Sequence, residues 1–449
     1  MDRNFAMKLI KDTFQYSFDK EKFIYFIKNL LNRYDESKAF YSHDYILKDF
    51  KEYIKTFECI GTYVDPEGKK IDILIVYLQK ETVLQRARTA QRNFIARYLK
   101  SCDEKDAGLI AFVSPQEEDW RFSFVKMEYK LEKTPKGDVK VKEEFTPARR
   151  YSFLVGKNES SHTAQSCFMP ILKNDIYHPK LNEIEEAFSI EKVTKEFFKE
   201  YKNLFDMLIK ELNDNHSFKI EAAKSNINTE NFAKILLGQI IFLYFLQKKG
   251  WLGVPANKTW GEGDKCFLRH LFEKSKVGSK NFFNDYLQPL FYDTLNNPRS
   301  NMVDPSYSPY FKSRIPFLNG GLFEPKYDWE NSFMYIDDKI FGKILDVFDL
   351  YNFTVKEDEP LDKEVAVDPE MLGKVFENLL EENLRKGKGT YYTPREIVHY
   401  MCQESLINYL ITESKINEKS IRKLIYWNTI TAKKEIIRAK ENDINPKNK

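Results

Sequence analysis

Residues 57–78, FECIGTYVDPEGKKIDILIVYL, decide the fold class, because here a helical chain becomes one that forms sheet. Two runs rich in β-branched and aromatic residues flank Asp65-Pro66-Glu67-Gly68, and the pattern reads as strand, tight turn, strand. Upstream, residues 1–40 set Phe, Ile and Leu at helical spacing among Lys and Asp, as in FIYFIKNLLNRY (23–34). Downstream, TVLQRARTAQRNFIARYLKS (82–101) returns to the helical period, and AGLIAFV (107–113) and WRFSFVKMEY (120–129) read as two further strands. These elements form a small N-terminal α/β (α+β) domain over residues 1–155, with TPKGDVKVKEE (134–144) as an exposed hairpin.

Beyond residue 175 no strand pattern is visible. Glu, Lys, Phe, Leu and Ile recur at three-to-four spacing, so residues 156–365 read as a large, mainly α-helical domain. The expected fold class is therefore mixed. Three loops interrupt the helices: GVPANKTWGEGDK (253–265), NNPRSNMVDPSYSPYF (296–311) and IPFLNGGLFEPKYDW (315–329). The twelve-residue run ILLGQIIFLYFL (235–246) falls short of the roughly 20 residues a membrane span needs. It reads as a buried helix stopped at Gly250, and the chain as soluble, with no membrane partner. Five scattered cysteines read as reduced thiols, and the N-terminus lacks the apolar run of a signal peptide, so the expected location is cytoplasmic. The net charge of +3 leaves room for a basic surface that meets nucleic acid.

Near the C-terminus, GKGTYYTPREIVHYM (387–401) joins two apolar helical patterns. Asp368-Pro369 opens the first, whose face is traced by Met371, Leu372, Val375, Phe376, Leu379 and Leu380. Thr393-Pro394-Arg395-Glu396 opens the second as a capping box, with Ile397, Val398, Met401, Leu406 and Leu410 expected to bury its face. Free N–H groups at such a helix start suit an anionic group such as a carboxylate. The plain alternative is a capped helix with tyrosines packed beside it.

VDPEMLGKVFENLLEE together with GTYYTPREIV resembles the entry to the methyltransferase domain of type IIG restriction–modification enzymes, which fuse an adenine-specific DNA methyltransferase to an endonuclease. LGQIIFLYFLQKKGWL (237–252) and IPFLNGGLFE (315–324) are similar to the same family, so the resemblance covers roughly residues 220 to 425. It implies that Gly389, Tyr391, Tyr392, Thr393 and Pro394 lie against the methionine part of S-adenosylmethionine. It also implies that 366–425 begin the methyltransferase domain, with 426–449 a charged tail expected to be disordered. The family needs two more parts after this segment. One is a Gly-rich turn, and the other is an Asn/Asp-Pro-Pro-Tyr/Phe element that holds a flipped adenine. The 55 residues after Pro394 contain no glycine and no such tetrapeptide. Asp304-Pro305-Ser306-Tyr307 mimics the tetrapeptide but precedes the cofactor segment, with no apolar strand before it. The expectation is an N-terminal portion of such an enzyme, inactive alone. Its partners would be DNA and a separately encoded methyltransferase or target-recognition polypeptide.

Related fused enzymes carry an N-terminal endonuclease domain, which gives a nuclease-like reading of residues 1–155. The candidates to hold Mg²⁺ are Asp72, Gln79 and Lys80, with Glu58 as a further oxygen donor. Arg86, Arg88, Arg92 and Arg97, with Gln85 and Gln91, would face DNA. The plain alternatives are an edge hairpin with solvated ends and a helix with an ordinary charged face. Two other functions stand beside the leading one: a non-catalytic DNA-binding scaffold subunit, and a free-standing Mg²⁺-dependent nuclease. The six histidines show no ligand spacing.

Overall fold

The computed structural model describes residues 1–378 apart from 43–47, 81, 83, 85–86, 103–104, 128–130, 134–138, 142–147, 175–176, 300–303, 319–320, 333 and 356–360, then 393, 395–414, 417–418, 421–422 and 425. Two compact units result, Met1–Leu379 and Leu380–Lys449.

The first unit opens with α1 (Arg3–Phe14) and α2 (Lys20–Leu31), each started by an aspartate that accepts an N–H of its first turn. After β1 (Phe40–Ser42) comes the hairpin that the sequence announces: β2 (Ile54–Val64) and β3 (Lys70–Leu78), paired antiparallel. Asp65 builds the turn between them, its Oδ1 accepting from the N–H groups of Glu67 and Lys69 at 2.8 Å each. A crossover through α3 (Arg88–Ser101) delivers β4 (Ala107–Val113) parallel to β3. β5 (Asp119–Met127) follows antiparallel. The hairpin expected over 134–144 is represented by β6 (Leu131–Lys133) and β7 (Val139–Val141), which pair with each other. β8 (Ala148–Gly156) then adds beside β5.

Each face of this sheet is apolar for its own reason. On one side Ile71, Ile73, Ile75, Trp120, Phe122, Phe124 and Phe153 meet α1, α2 and the helices α4 (His162–Leu172) and α5 (Leu181–Ala187). Phe122 is the hub, with ring centroids of Phe14, Phe23, Phe26, Phe168 and Phe188 all within 5.9 Å. On the other side Leu74, Val76, Ile110, Phe112 and Val125 lie under Phe94, Ile95, Tyr98 and Leu99 of α3.

A mostly helical region follows, with α6 (Ile190–Asp214), α7 (His216–Lys224), α8 (Thr229–Lys248), α9 (Phe267–Val277), α10 (Asp338–Phe348) and α11 (Pro369–Asn378). Its core is continuous with the first face of the sheet. By length and composition α8 could cross a membrane, yet it is mostly buried against α6 and α9. Gly250 stops it in a left-handed conformation, φ 69°. The Gly250 N–H donates to the Gln247 carbonyl at 2.8 Å and that of Trp251 to the Leu246 carbonyl at 3.0 Å, the pair of bonds of a Schellman motif.

The absence of strands beyond residue 175 does not hold. Tyr307–Ser308 (β9) and Ser313–Arg314 (β10) pair as a hairpin, and Asp362–Glu364 (β11) joins the sheet parallel to β8, giving the order β1-β2-β3-β4-β5-β8-β11. Two or three residues are too few for an alternating pattern to be read. In β11 the alternation is also inverted, since the buried residues are Asp362 and Glu364.

In the second unit the helix Arg395–Ser414 is the main described element. Ile407 and Ile421 are buried, and Arg422 donates to both carboxylate oxygens of Glu404, at 2.7 and 3.0 Å.

Candidate functional site

Asp72 lies near the start of β3 on the α3 side of the sheet, and all its surroundings answer it. Its Oδ1 accepts from the Thr62 hydroxyl at 2.7 Å and sits 3.1 Å from Lys105 Nζ, and its Oδ2 accepts from the Tyr98 hydroxyl at 2.9 Å. Burial, with the Asp72 carboxylate adding, pushes the Tyr98 hydroxyl and the Cys59 thiol up. Glu58 accepts from Lys20 at 2.5 Å and from the Tyr77 hydroxyl at 3.1 Å.

The metal-binding expectation needs Asp72, Gln79 and Lys80 at one point. Gln79 follows Asp72 by seven residues along one extended chain, roughly 23 Å away at the rise of a strand. Its amide is moreover committed to the carbonyls of Lys51 and Ile54. The three residues are therefore not brought together, and Asp72 is a buried acid matched to Lys105. Among the described residues, no group of three or more His, Cys, Asp or Glu is placed to hold a metal.

The arginines expected to face DNA divide. Arg88 and Arg92 are only 8% and 6% exposed, because this stripe of α3 faces the sheet and not solvent. Arg97 is on the surface, paired with Asp49 at 2.9 Å and lying over the Phe50 ring. Gln85 and Arg86 lie outside the described residues.

What draws Arg88 inward is a buried charge network that the sequence reading missed. Arg150 donates Nε and Nη2 to the two carboxylate oxygens of Asp362, at 3.1 and 2.6 Å, and Nη1 to the Gln91 side-chain carbonyl at 2.8 Å. Arg88 donates to Asp362 Oδ1 at 3.0 Å and lies 3.6 Å from Glu364. Arg121 donates Nη1 to Glu364 at 3.0 Å and to the Ser152 hydroxyl at 2.8 Å. Arg121 and Arg150 have no exposed surface. Burial pushes Arg150 down to about 10, with Asp362 opposing. Burial also works against the Asp362 carboxylate, but Arg150 and then Arg88 outweigh it and hold the group well below the usual range. Lys248, at the end of α8, pairs with buried Glu159, whose carboxyl burial pushes up. The available signal was an arginine inside each of two apolar strands, WRFSFV and ARRYSFLV.

At the C-terminal junction Asp368 caps α11 as expected, accepting from the Met371 N–H at 2.7 Å. Of the five residues assigned to the cofactor, Gly389, Tyr391, Tyr392 and Pro394 lie outside the described residues. Thr393 is exposed, two residues before the first residue of the helix Arg395–Ser414. The apolar face of that helix is not buried: Ile397 is 50% exposed and Met401 58%, and Val398 and Leu406 are also open. The Asp304-Pro305-Ser306-Tyr307 mimic is a turn, in which Asp304 accepts from the Ser306 N–H and hydroxyl and pairs with Arg314.

No family model matches the chain, and no solved structure matches it. A relative from Methanocaldococcus jannaschii, provisionally named a type II restriction enzyme and methyltransferase, is 33% identical over 241 residues. Over that stretch the chain is similar to a protein named for restriction and modification. The match covers 48% of this chain and 19% of the relative, so the chain spans about a fifth of that protein's length.

Proposed function

We propose that these 449 residues are the N-terminal portion, or a subunit, of a DNA restriction–modification enzyme of type IIG character that methylates adenine with S-adenosylmethionine. The observation that carries this reading is the 241-residue relationship to a restriction–modification protein, in a chain that also holds Gly-Thr-Tyr-Tyr-Thr-Pro ahead of a helix.

The residue types at the junction fit the methionine end of that cofactor. N–H groups at the start of the helix Arg395–Ser414 offer donors and a positive dipole end to a carboxylate. Tyr391 and Tyr392 supply faces for a sulfonium or an adenine ring. When bound, the cofactor supplies an electrophilic methyl group; this chain supplies one wall that orients it. The groups that would hold the target adenine are not among these residues, so methyl transfer needs them from a continuing chain or a second polypeptide. The open apolar face of the helix Arg395–Ser414 favours that incompleteness, and it equally suits the scaffold reading, in which this chain donates the helix to a separate methyltransferase half. Cleavage is not assigned to Asp72, Gln79 and Lys80, and Mg²⁺ has no proposed site.

Equilibrium dialysis against labelled S-adenosylmethionine tests the cofactor wall. Retention by the wild-type chain should fall several-fold in the double variant Tyr391→Ala/Tyr392→Ala. Equal retention by both, or none by either, would remove these tyrosines from the cofactor site.

A further inference from the structure

The loop after α8 is a closed backbone platform. The N–H groups of Gly261 and Gly263 both donate to the Gly250 carbonyl at 3.0 Å, and that of Asp264 donates to the Leu252 carbonyl at 2.8 Å. Val254 exchanges two hydrogen bonds with Arg314 of the β9–β10 hairpin, at 3.1 and 2.8 Å. The loop is thus fixed by main chain before any of its large side chains is considered.

Those side chains make an ordered row that runs from half-buried Trp251 to the surface. Lys249 Nζ lies 3.9 Å above the Trp251 ring, Trp251 and Trp260 meet edge to face at 6.4 Å, and the Arg314 guanidinium lies 4.7 Å above Trp260. Arg314 is held by the Ser306 hydroxyl at 3.0 Å, the Lys258 carbonyl at 2.8 Å and the Asp304 carboxylate at 3.2 Å, so its charge is already matched and the unmatched cations are the lysines beside it. Trp260 nevertheless remains 40% exposed. Trp251 is half-buried against the core, which accounts for it. A cation over a ring contributes only about 0.5–1 kcal/mol at an exposed site, and the main chain already closes the loop, so stability does not account for Trp260.

Lys312 adds a second oddity. It occupies the hairpin turn with φ 51°, a conformation in which a side chain other than glycine or asparagine costs roughly 1–2 kcal/mol. Lys249 and Lys312 are both exposed, and neither has a carboxylate partner among the described residues.

We propose that this row, with Lys249 and Lys312 at its margins, is a contact surface for the phosphate backbone of duplex DNA. The two ammonium groups take phosphates and Trp260 packs against the sugar edge. Strain tolerated at Lys312 and aromatic surface left open at Trp260 are then both explained by the ligand. The inference rests on DNA being the partner under the proposed function.

The test is duplex binding by the full chain across a salt series. Each phosphate neutralised contributes about 0.9 to the slope of log affinity against log salt. Lys249→Ala/Lys312→Ala should therefore flatten the slope by nearly 2, while Lys8→Ala, an exposed lysine of α1, leaves it unchanged. Trp260→Ala should weaken binding at every salt concentration with no change in slope. A double variant that keeps the wild-type slope overturns the surface and leaves the DNA-modifying reading standing. A wild-type chain that binds no duplex at the lowest salt overturns both.

Discussion

Asp362→Ala should lose on the order of 3–5 kcal/mol of stability, a large share of what a domain has in total. The carboxylate removed is the one that Arg150 pairs with among the described residues, and it also takes a hydrogen bond from Arg88. Arg150 has no exposed surface, so its guanidinium cannot recover the lost bonds from bulk water. The loss is thus the desolvation of an unmatched buried charge, far above the value of a surface pair, about 0–1 kcal/mol. Urea unfolding at neutral pH measures it. The same carboxylate gives stability a pH dependence of definite sign. Because its folded-state pKa is depressed, its contribution is complete above the ordinary aspartate range, about pH 4, and drains away as pH falls below that. Asp362→Asn should remove this part of the acid limb. A variant with wild-type stability at pH 7 would show that the network is hydrated and not closed.

Gly250→Ala should be nearly as damaging, on the order of 3 kcal/mol, for a different reason. At φ 69° an alanine already carries left-handed strain of roughly 1–2 kcal/mol. Its Cβ would also stand 2.2 Å from the carbonyl oxygen of Gly261, which is backbone and cannot swing aside. Gly68, at the β2–β3 turn, isolates the first effect, because it has φ 81° with nothing within 4 Å of a Cβ. Gly68→Ala should therefore cost only about 1 kcal/mol. Thermal unfolding of both variants, with tryptophan fluorescence of the Trp251–Trp260 pair, separates conformational strain from the clash. Equal losses at the two glycines would mean that the loop after α8 is less tightly closed than its hydrogen bonds indicate.

Much of the fold can be read in the sequence wherever an element is long enough to show its period. The hairpin over 57–78 appears as β2 and β3, AGLIAFV is β4 residue for residue, and the run at 235–246 lies inside α8. The α/β region followed by a mostly helical one is what the structure has. β8 is not legible, because ARRYSFLVG carries two arginines where a buried strand should be apolar. β11 could not be, because its inward residues are acids whose partners lie more than two hundred positions earlier in the chain. The same long-range pairing explains why the polar stripe of α3 reads as a DNA-facing surface. A helical period shows that Arg88, Gln91 and Arg92 share a side, but only the sheet's own charges decide that the side is inward. At the C-terminal helix the apolar face is legible and its burial is not, since Ile397, Val398 and Met401 remain open here.

Methyl transfer to DNA is the most direct measurement. The chain should be combined with a polypeptide that carries a Gly-rich turn and an Asn/Asp-Pro-Pro-Tyr/Phe element from the same operon or reading frame, together with labelled cofactor and duplex. Label should appear on the adenine amino group only when both polypeptides are present, and should be lost with Tyr392→Ala. Label that appears without this chain, or that survives the tyrosine variant undiminished, would contradict a cofactor wall at Tyr392.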